Sequence, residues 1–388
     1  MTKAITKRVY LSPPDVGTKE RELVLAAIDS NWVAPIGPDL DAFEVDLGRA
    51  SGRRCAVGLS SGTAGLHLCL VASGIERGDL VAVSTFTFVA TANAVMYCGA
   101  EPVFIDCSDE TWNLDPSLLE HAFVEAIAGG KRIKAVVAVD LYGQCCDYEA
   151  IEELCDRYGA ILISDAAESL GARAFGRQSG SFGRAAVFSF NGNKIITTSG
   201  GGMVVTDDVE LAARIRFLST QAREVSPHYE HEVIGYNYRL SNLLAAFGRG
   251  QVATLSDKVA ARGEVLARYR AAFATLPVEF MPIPAWSEPN NWLTCVLLSP
   301  ASASDREQIR LALEAEDIES RPLWKPMHQQ PVFRGARSVL RGVSDGLFAR
   351  GLCLPSGSSL AVNDQQRVMR IVEDLVTHGT SDTRSCPD

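Results

Sequence analysis

Cys55-Ala56-Val57-Gly58-Leu59-Ser60-Ser61-Gly62-Thr63-Ala64 passes from an apolar run, through a small polar turn, into a helical pattern. The same alternation of short apolar runs and amphipathic helices continues to about residue 206. Further strands are predicted at Leu80–Ser84, Pro102–Ile105, Ala135–Val139, Ile161–Ser164, Ala185–Phe188 and Met203–Val205. Helices are predicted near 63–73, 87–97, 116–128 and 147–158, with Gly74, Gly99 and Gly159 as C-terminal caps. Strands and helices alternating at this spacing predict an α/β fold, its mostly parallel sheet covered on both faces. Ligands collect at the carboxyl ends of such strands. Asp165 and Ser60-Ser61-Gly62-Thr63 fall at those ends, and the loop carrying Lys194 lies just beyond one.

Outward from this core, residues 15–50 read as helical. Leu23, Ala26, Ala27 and Ser30 share a face with 3.6-residue spacing, and a second helix covers Leu40 to Leu47. The intervening loop, Asn31 to Pro38, is too apolar for a plain solvent linker; it reads as a packed loop or as a ligand or subunit contact. On the C-terminal side a long helical region spans 241–273. A strand at Trp292–Leu298 and helices near 304–315 and 363–376 then predict a smaller α/β domain. The expected organisation is a large domain over 9–250, a small one over 251–377, and a polar, disordered end over 378–388.

With 388 residues, 47% hydrophobic and 22% charged, the chain has the composition of an ordinary globular protein with a sizeable core. The net charge of −10 argues against a general affinity for nucleic acid phosphates. Ten cysteines are scattered without a paired CxxC framework, so no metal site is read. Several lie in apolar runs, as in Leu68-Cys69-Leu70 and Leu352-Cys353-Leu354, and read as reduced core residues. The adjacent Cys145-Cys146 reads best as a loop or core pair. The N-terminus lacks the apolar stretch of a signal peptide, and no apolar run reaches membrane-spanning length. A cytoplasmic location is expected, with no membrane partner.

Four places carry candidate chemistry. Gly62 permits close backbone approach, and the helix after it presents free N–H groups to an anion. Read alone, the segment is more readily an ordinary helix cap than a phosphate site, and it is no Walker loop, lacking the lysine. Phe88, opening the helix after the second strand, could stack on a flat ring or pack in the core. Asp165 ends Ile161-Leu162-Ile163-Ser164 and would be a buried charge, costly unless paired; otherwise it caps Ala166-Ala167-Glu168. Lys194 lies in Ser189-Phe190-Asn191-Gly192-Asn193-Lys194, ahead of Gly200-Gly201-Gly202. A lysine on tight turns can form a Schiff base with an aldehyde cofactor. With an aspartate for a pyridinium nitrogen, it makes the pair that pyridoxal phosphate chemistry needs.

Four motifs occur in order: Ser60-Ser61-Gly62-Thr63-Ala64, Asp165-Ala166-Ala167-Glu168-Ser169, Phe188 to Lys194, and Gly235-Tyr236-Asn237-Tyr238-Arg239-Leu240-Ser241. They resemble the DegT/DnrJ/EryC1/StrS family of nucleotide-sugar aminotransferases, with the aspartate aminotransferase-like fold (fold type I), over about residues 9 to 376. The resemblance implies pyridoxal 5'-phosphate as cofactor. Lys194 would bond to it and then shuttle protons, Asp165 would bind the ring nitrogen, and Phe88 would stack on the ring. Gly62, Thr63, Ala64 and Ser189 would hold the phosphate, and Glu168 would sit near the ring hydroxyl. Asn237 would reach the phosphate of a neighbouring subunit, which makes a homodimer the active unit. Relatives that remove a hydroxyl carry histidine in place of the lysine; Lys194 favours amino transfer. An intact lysine and aspartate also speak against a non-catalytic regulator on the same fold.

Arg321 to Phe333 sets Trp324, Lys325, Pro326, Met327 and His328 between further prolines. Alone it could be a rigid surface loop. It resembles the substrate loop of UDP-linked 4-amino-sugar transaminases of the bacillosamine type, in which Val33, Ala34, Pro35 and Ile36 would also meet the sugar nucleotide. The implied reaction moves an amino group from L-glutamate to C4 of a UDP-4-keto-6-deoxy-N-acetylhexosamine. A GDP- or dTDP-linked keto sugar is the alternative. Two departures from the family pattern stand out: Gly65, where alanine is usual, and Cys145-Cys146, where a proline and a small residue are usual.

Overall fold

The computed structural model describes residues 8–379. The expected tail beyond Gly379, with Cys386, lies outside the described residues, as does the N-terminal stretch before Arg8. Two helices open the fold, α1 (Thr18–Asp29) and α2 (Pro38–Ser51). The alternating core follows as β1 (Cys55–Leu59), α3 (Gly62–Ala72), β2 (Leu80–Ser84), α4 (Val89–Tyr97) and β3 (Glu101–Ile105). It continues through α5 (Pro116–Ala128), β4 (Ile133–Val139), α6 (Tyr148–Tyr158) and β5 (Ile161–Asp165). Strands Ala185–Ser189 and Gly202–Thr206 complete the predicted set.

These strands form one eight-stranded sheet in the order β1, 202–206, 185–189, β5, β4, β2, β3, 337–339. Only the 202–206 strand runs antiparallel to its neighbours. The central strands are near-continuous apolar runs because both faces are covered by helices. Gly74, Gly99 and Gly159 take the left-handed backbone expected where a helix ends. Gly65 has a packing reason: a Cβ there would fall 2.6 Å from Val187 Cγ1, so α3 lies too close to the sheet for alanine.

The C-terminal part builds a second, four-stranded antiparallel sheet from 278–280, 294–298, 351–354 and 321–322. Helices Arg306–Ala315 and Val362–His378 pack in its core. Four details differ from the sequence reading. The 241–273 region is two helices, Asn242–Val252 and Leu255–Ala272. Trp292 precedes its strand, which begins at Thr294. Residues 337–339 add a short parallel edge to β3, and three mostly exposed residues leave no apolar signal for it. On α1, which packs on the Asn242–Val252 helix, Ala27 is buried but Ala26 is exposed, as is Ser30, which caps the helix. Cys145 and Cys146 are both buried and unbridged. Among the described residues no helix is long and apolar enough to cross a membrane.

Candidate active site

At the carboxyl edge of the large sheet lies a cleft of about 170 Å³. One wall is the start of α3, with Ser61, Gly62 and Thr63. Ser61 caps this helix through its Oγ, which accepts from the Ala64 amide at 3.0 Å. A Cβ at Gly202 would fall 2.5 Å from the Gly62 nitrogen, so the neighbouring strand is glycine where the helix begins against it. Ser189 flanks the same point; a Cβ on Gly62 would come within 3.0 Å of its own Cβ. The cleft thus has a helix N-terminus with hydroxyls beside it, the arrangement that receives a phosphate.

Asp165 ends β5 at the floor of the cleft. Thr91 Oγ1 donates to its Oδ2 at 2.7 Å, and the Ala167 amide to its Oδ1 at 3.2 Å. Burial raises the Asp165 carboxyl above its ordinary range; these bonds and the charge of Lys194 offset that only in part. A cation placed against it would complete the pairing that burial demands.

Lys194 Nζ sits 3.3 Å from Glu168 Oε1 and 4.0 Å from the centre of the Trp292 ring. Glu168 Oε2 accepts from the Tyr142 amide at 2.7 Å. Burial pushes the Glu168 carboxyl up, with the Lys194 charge and the Tyr142 amide opposing. The turn bearing Lys194 is pinned at Asn193, whose carbonyl accepts from Ser12 Oγ at 2.8 Å and Trp292 Nε1 at 2.7 Å. Beneath the cleft, the buried Asp140 carboxylate accepts from Ser169 Oγ and Tyr148 Oη, each at 2.6 Å. Burial lifts its pKa to about 6.

The structure therefore brings Gly62, Thr63, Phe88, Asp165, Glu168, Ser189 and Lys194 to one cleft. Ala64 stands just behind, its amide engaged by the cap. Phe88 is half-exposed and faces Trp324, with ring centres 5.5 Å apart. Trp324 lines an adjoining, more apolar cavity of about 680 Å³ together with Tyr142, Trp292 and Asn193. Lys325, Pro326, Met327 and His328 line neither cavity. Met327 packs in the core, and His328 bridges Thr85 Oγ1 at 2.8 Å and Asp345 Oδ1 at 2.9 Å. Val33 to Ile36 and Asn237 also lie outside both cavities. Val33 and Ile36 are exposed, and Asn237 forms a bridge with Thr220. Sequence reasoning missed Thr91, Tyr142 and Trp292; of these only Thr91 carried a local signal, standing one helical turn after Phe88.

The model of the DegT/DnrJ/EryC1/StrS aminotransferase family matches residues 14–373. The chain belongs to this family. EpsN of Bacillus subtilis (strain 168), provisionally named a pyridoxal phosphate-dependent aminotransferase, is 47% identical over 374 residues, covering 95% of this chain and 96% of that protein. GDP-perosamine synthase of Caulobacter vibrioides is 36% identical over 371 residues, covering 95% of this chain and 98% of that enzyme. The crystal structure of DesV from S. venezuelae, in complex with a ketimine intermediate, superposes with a TM-score of 0.86 at 31% identity, covering 96% of this chain and 99% of that one. As a member of the DegT/DnrJ/EryC1/StrS family, the protein is a sugar aminotransferase dependent on pyridoxal 5'-phosphate, with the fold type I architecture. The residues present fit that cofactor: an anion cradle, an incompletely paired buried carboxylate and a lysine amine share one cleft.

Proposed function

We propose that the enzyme transfers an amino group from L-glutamate to C4 of a UDP-4-keto-6-deoxy-N-acetylhexosamine, forming UDP-2-acetamido-4-amino-2,4,6-trideoxyglucose. The carrying observation is the shared cleft of Lys194, Asp165 and the α3 N-terminus. Bound pyridoxal phosphate supplies a reactive aldehyde and an electron sink. Lys194 would hold it through Nζ and would move a proton at the substrate carbon; Glu168, 3.3 Å away, orients that amine. Asp165 would pair with its ring nitrogen, and Phe88 would cover its ring. Gly62, Thr63 and Ser189 would hold the phosphate, with Ala64 behind them, its amide engaged by Ser61. Asn237, outside the cleft of its own chain, reaches the phosphate of a partner in a homodimer. The exposed Val33 to Ile36 loop and the Trp324 to His328 segment bind the sugar nucleotide. Within that segment Trp324 supplies the contact surface, while the inward bonds of Met327 and His328 fix its path.

A GDP-linked keto sugar is the second reading, favoured by the similarity to GDP-perosamine synthase. The test is a visible absorbance titration of the enzyme with its cofactor bound. L-glutamate should bleach the band, and the UDP-linked keto sugar should then restore it, with the GDP-linked sugar run in parallel. Recovery with the GDP sugar alone would overturn the UDP assignment. Lys194→Ala should abolish turnover altogether, and steady-state transamination by that variant would remove Lys194 from the chemistry.

A further inference from the structure

Tyr142 occupies a backbone conformation that its type rarely adopts. Its φ is 53° and ψ is 21°, in the left-handed region that glycine or asparagine fills at less cost. The next residue, Gly143, has φ 96°, and a Cβ there would land 1.9 Å from Asn290 Oδ1. The turn is therefore fixed from outside, and a bulky aromatic is held in it. Such outliers persist where the side chain has a task, and they cluster at active sites.

The contacts of Tyr142 show the task. Its amide donates to Glu168 Oε2 at 2.7 Å, on the carboxylate that meets Lys194 Nζ. Its ring lies between two tryptophans, with centres 6.5 Å from Trp292 at an interplanar 25° and 6.0 Å from Trp324 at 13°. Trp292 is the ring beneath the Lys194 amine, 4.0 Å away. The phenol oxygen accepts from the Trp324 amide at 2.8 Å. One buried residue thus touches both supports of the lysine and the main chain of the segment we read as sugar-facing.

We propose that Tyr142 is a positioning residue that couples the Trp324 segment to the Lys194–Glu168 pair, so that seating the sugar nucleotide registers at the reacting amine. The inference rests on the reading of that segment given above. Its two connections are separable. Tyr142→Phe keeps the ring between the tryptophans but leaves the Trp324 amide without its acceptor. Tyr142→Leu removes the aromatic bridge as well.

The experiment follows the two half-reactions of the cofactor-loaded enzyme by absorbance, with pyridoxal phosphate content and thermal midpoint as independent readouts. Tyr142→Phe should be bleached by L-glutamate within about twofold of the wild-type rate, while KM for the keto sugar rises roughly five- to tenfold, as expected when the half-buried Trp324 N–H loses its acceptor. Tyr142→Leu should bind the cofactor fully yet be bleached roughly tenfold more slowly, because small displacements of a reacting group are costly. The sugar used is whichever of the UDP- and GDP-linked 4-keto sugars restores the wild-type band. If neither does, the substrate reading fails, and the L-glutamate arm with Tyr142→Leu still decides the role of Tyr142. Wild-type bleaching by Tyr142→Leu overturns the proposal. So does a Tyr142→Phe variant that slows both half-reactions equally or neither.

Discussion

Asp106 follows β3 and Asp165 ends β5, so both carboxylates emerge at the same edge of one sheet, and both are buried. Their surroundings are opposite. Asp106 accepts from the amides of Cys107, Arg341, Gly342, Val343 and Ser344, at distances between 2.7 and 3.2 Å. Burial works against its ionisation, but bonds from Ser344, Arg341 and Cys107 outweigh burial and hold the carboxyl below its ordinary 3.8. Asp165 has one hydroxyl and one amide, and burial wins, so its carboxyl is raised. A saturated carboxylate is a fastener, here tying residues 341–344 to the large sheet. An unsaturated one is an invitation to a cation, and on the proposed reading the protonated ring of the cofactor would be that cation.

The largest effect should come from making the second site resemble neither. Asp165→Asn keeps the shape and the two hydrogen-bonding neighbours but removes the charge. We expect kcat to fall roughly 10²- to 10³-fold, the rate equivalent of losing about 3–4 kcal/mol of buried charge pairing. Thermal stability without the cofactor should hold. A variant with wild-type kcat would put Asp165 with Asp106, as a structural carboxylate.

The difference between the two aspartates was only half legible in the sequence. Asp165 declared itself because Ile161-Leu162-Ile163-Ser164 is a continuous apolar run with a charge at its end, and Lys194 stands between a strand and a glycine run. Asp106 also ends an apolar run, Pro102 to Ile105, but its partners lie at 341–344, beyond the reach of any local pattern. The alternating strands were readable because burial on both faces makes each one uniformly apolar. Tyr142 and Trp292 were not readable as site residues, since their positions depend on a strained turn and on the pinned Asn193 carbonyl. The substrate segment was visible as a motif, yet the inward placement of Met327 comes from Thr85, whose carbonyl accepts the Met327 amide at 2.7 Å.

Asp106→Asn tests the fastener. Asparagine keeps an acceptor but offers an N–H toward amides that already donate, so at least one buried donor loses its partner. The expected cost is about 2 kcal/mol, measured by denaturant unfolding at neutral pH. The protein that remains folded should turn over within about twofold of the wild type, since Asp106 touches nothing in the cleft. A large fall in kcat at unchanged stability would blur the distinction between the two aspartates.

The smallest effect is the most diagnostic, because it differs in sign between the two. A carboxyl depressed by folding, such as Asp106, contributes stability above the unfolded value of 3.8 and loses it as pH falls through its lower folded pKa. A carboxyl raised by folding, such as Asp165 without its cation, does the reverse: the folded state keeps the proton longer, and the charge costs stability above the raised pKa. In cofactor-free protein, the stability advantage of wild type over Asp106→Asn should be complete at about pH 6 and shrink below about pH 4. Asp165→Asn should be no less stable than wild type at about pH 7, any advantage fading as the medium is acidified. Each change is on the order of 1 kcal/mol, within reach of paired unfolding curves. Saturating pyridoxal phosphate should abolish the second pattern and leave the first untouched, because a ring cation against Asp165 turns its raised carboxyl into a paired one.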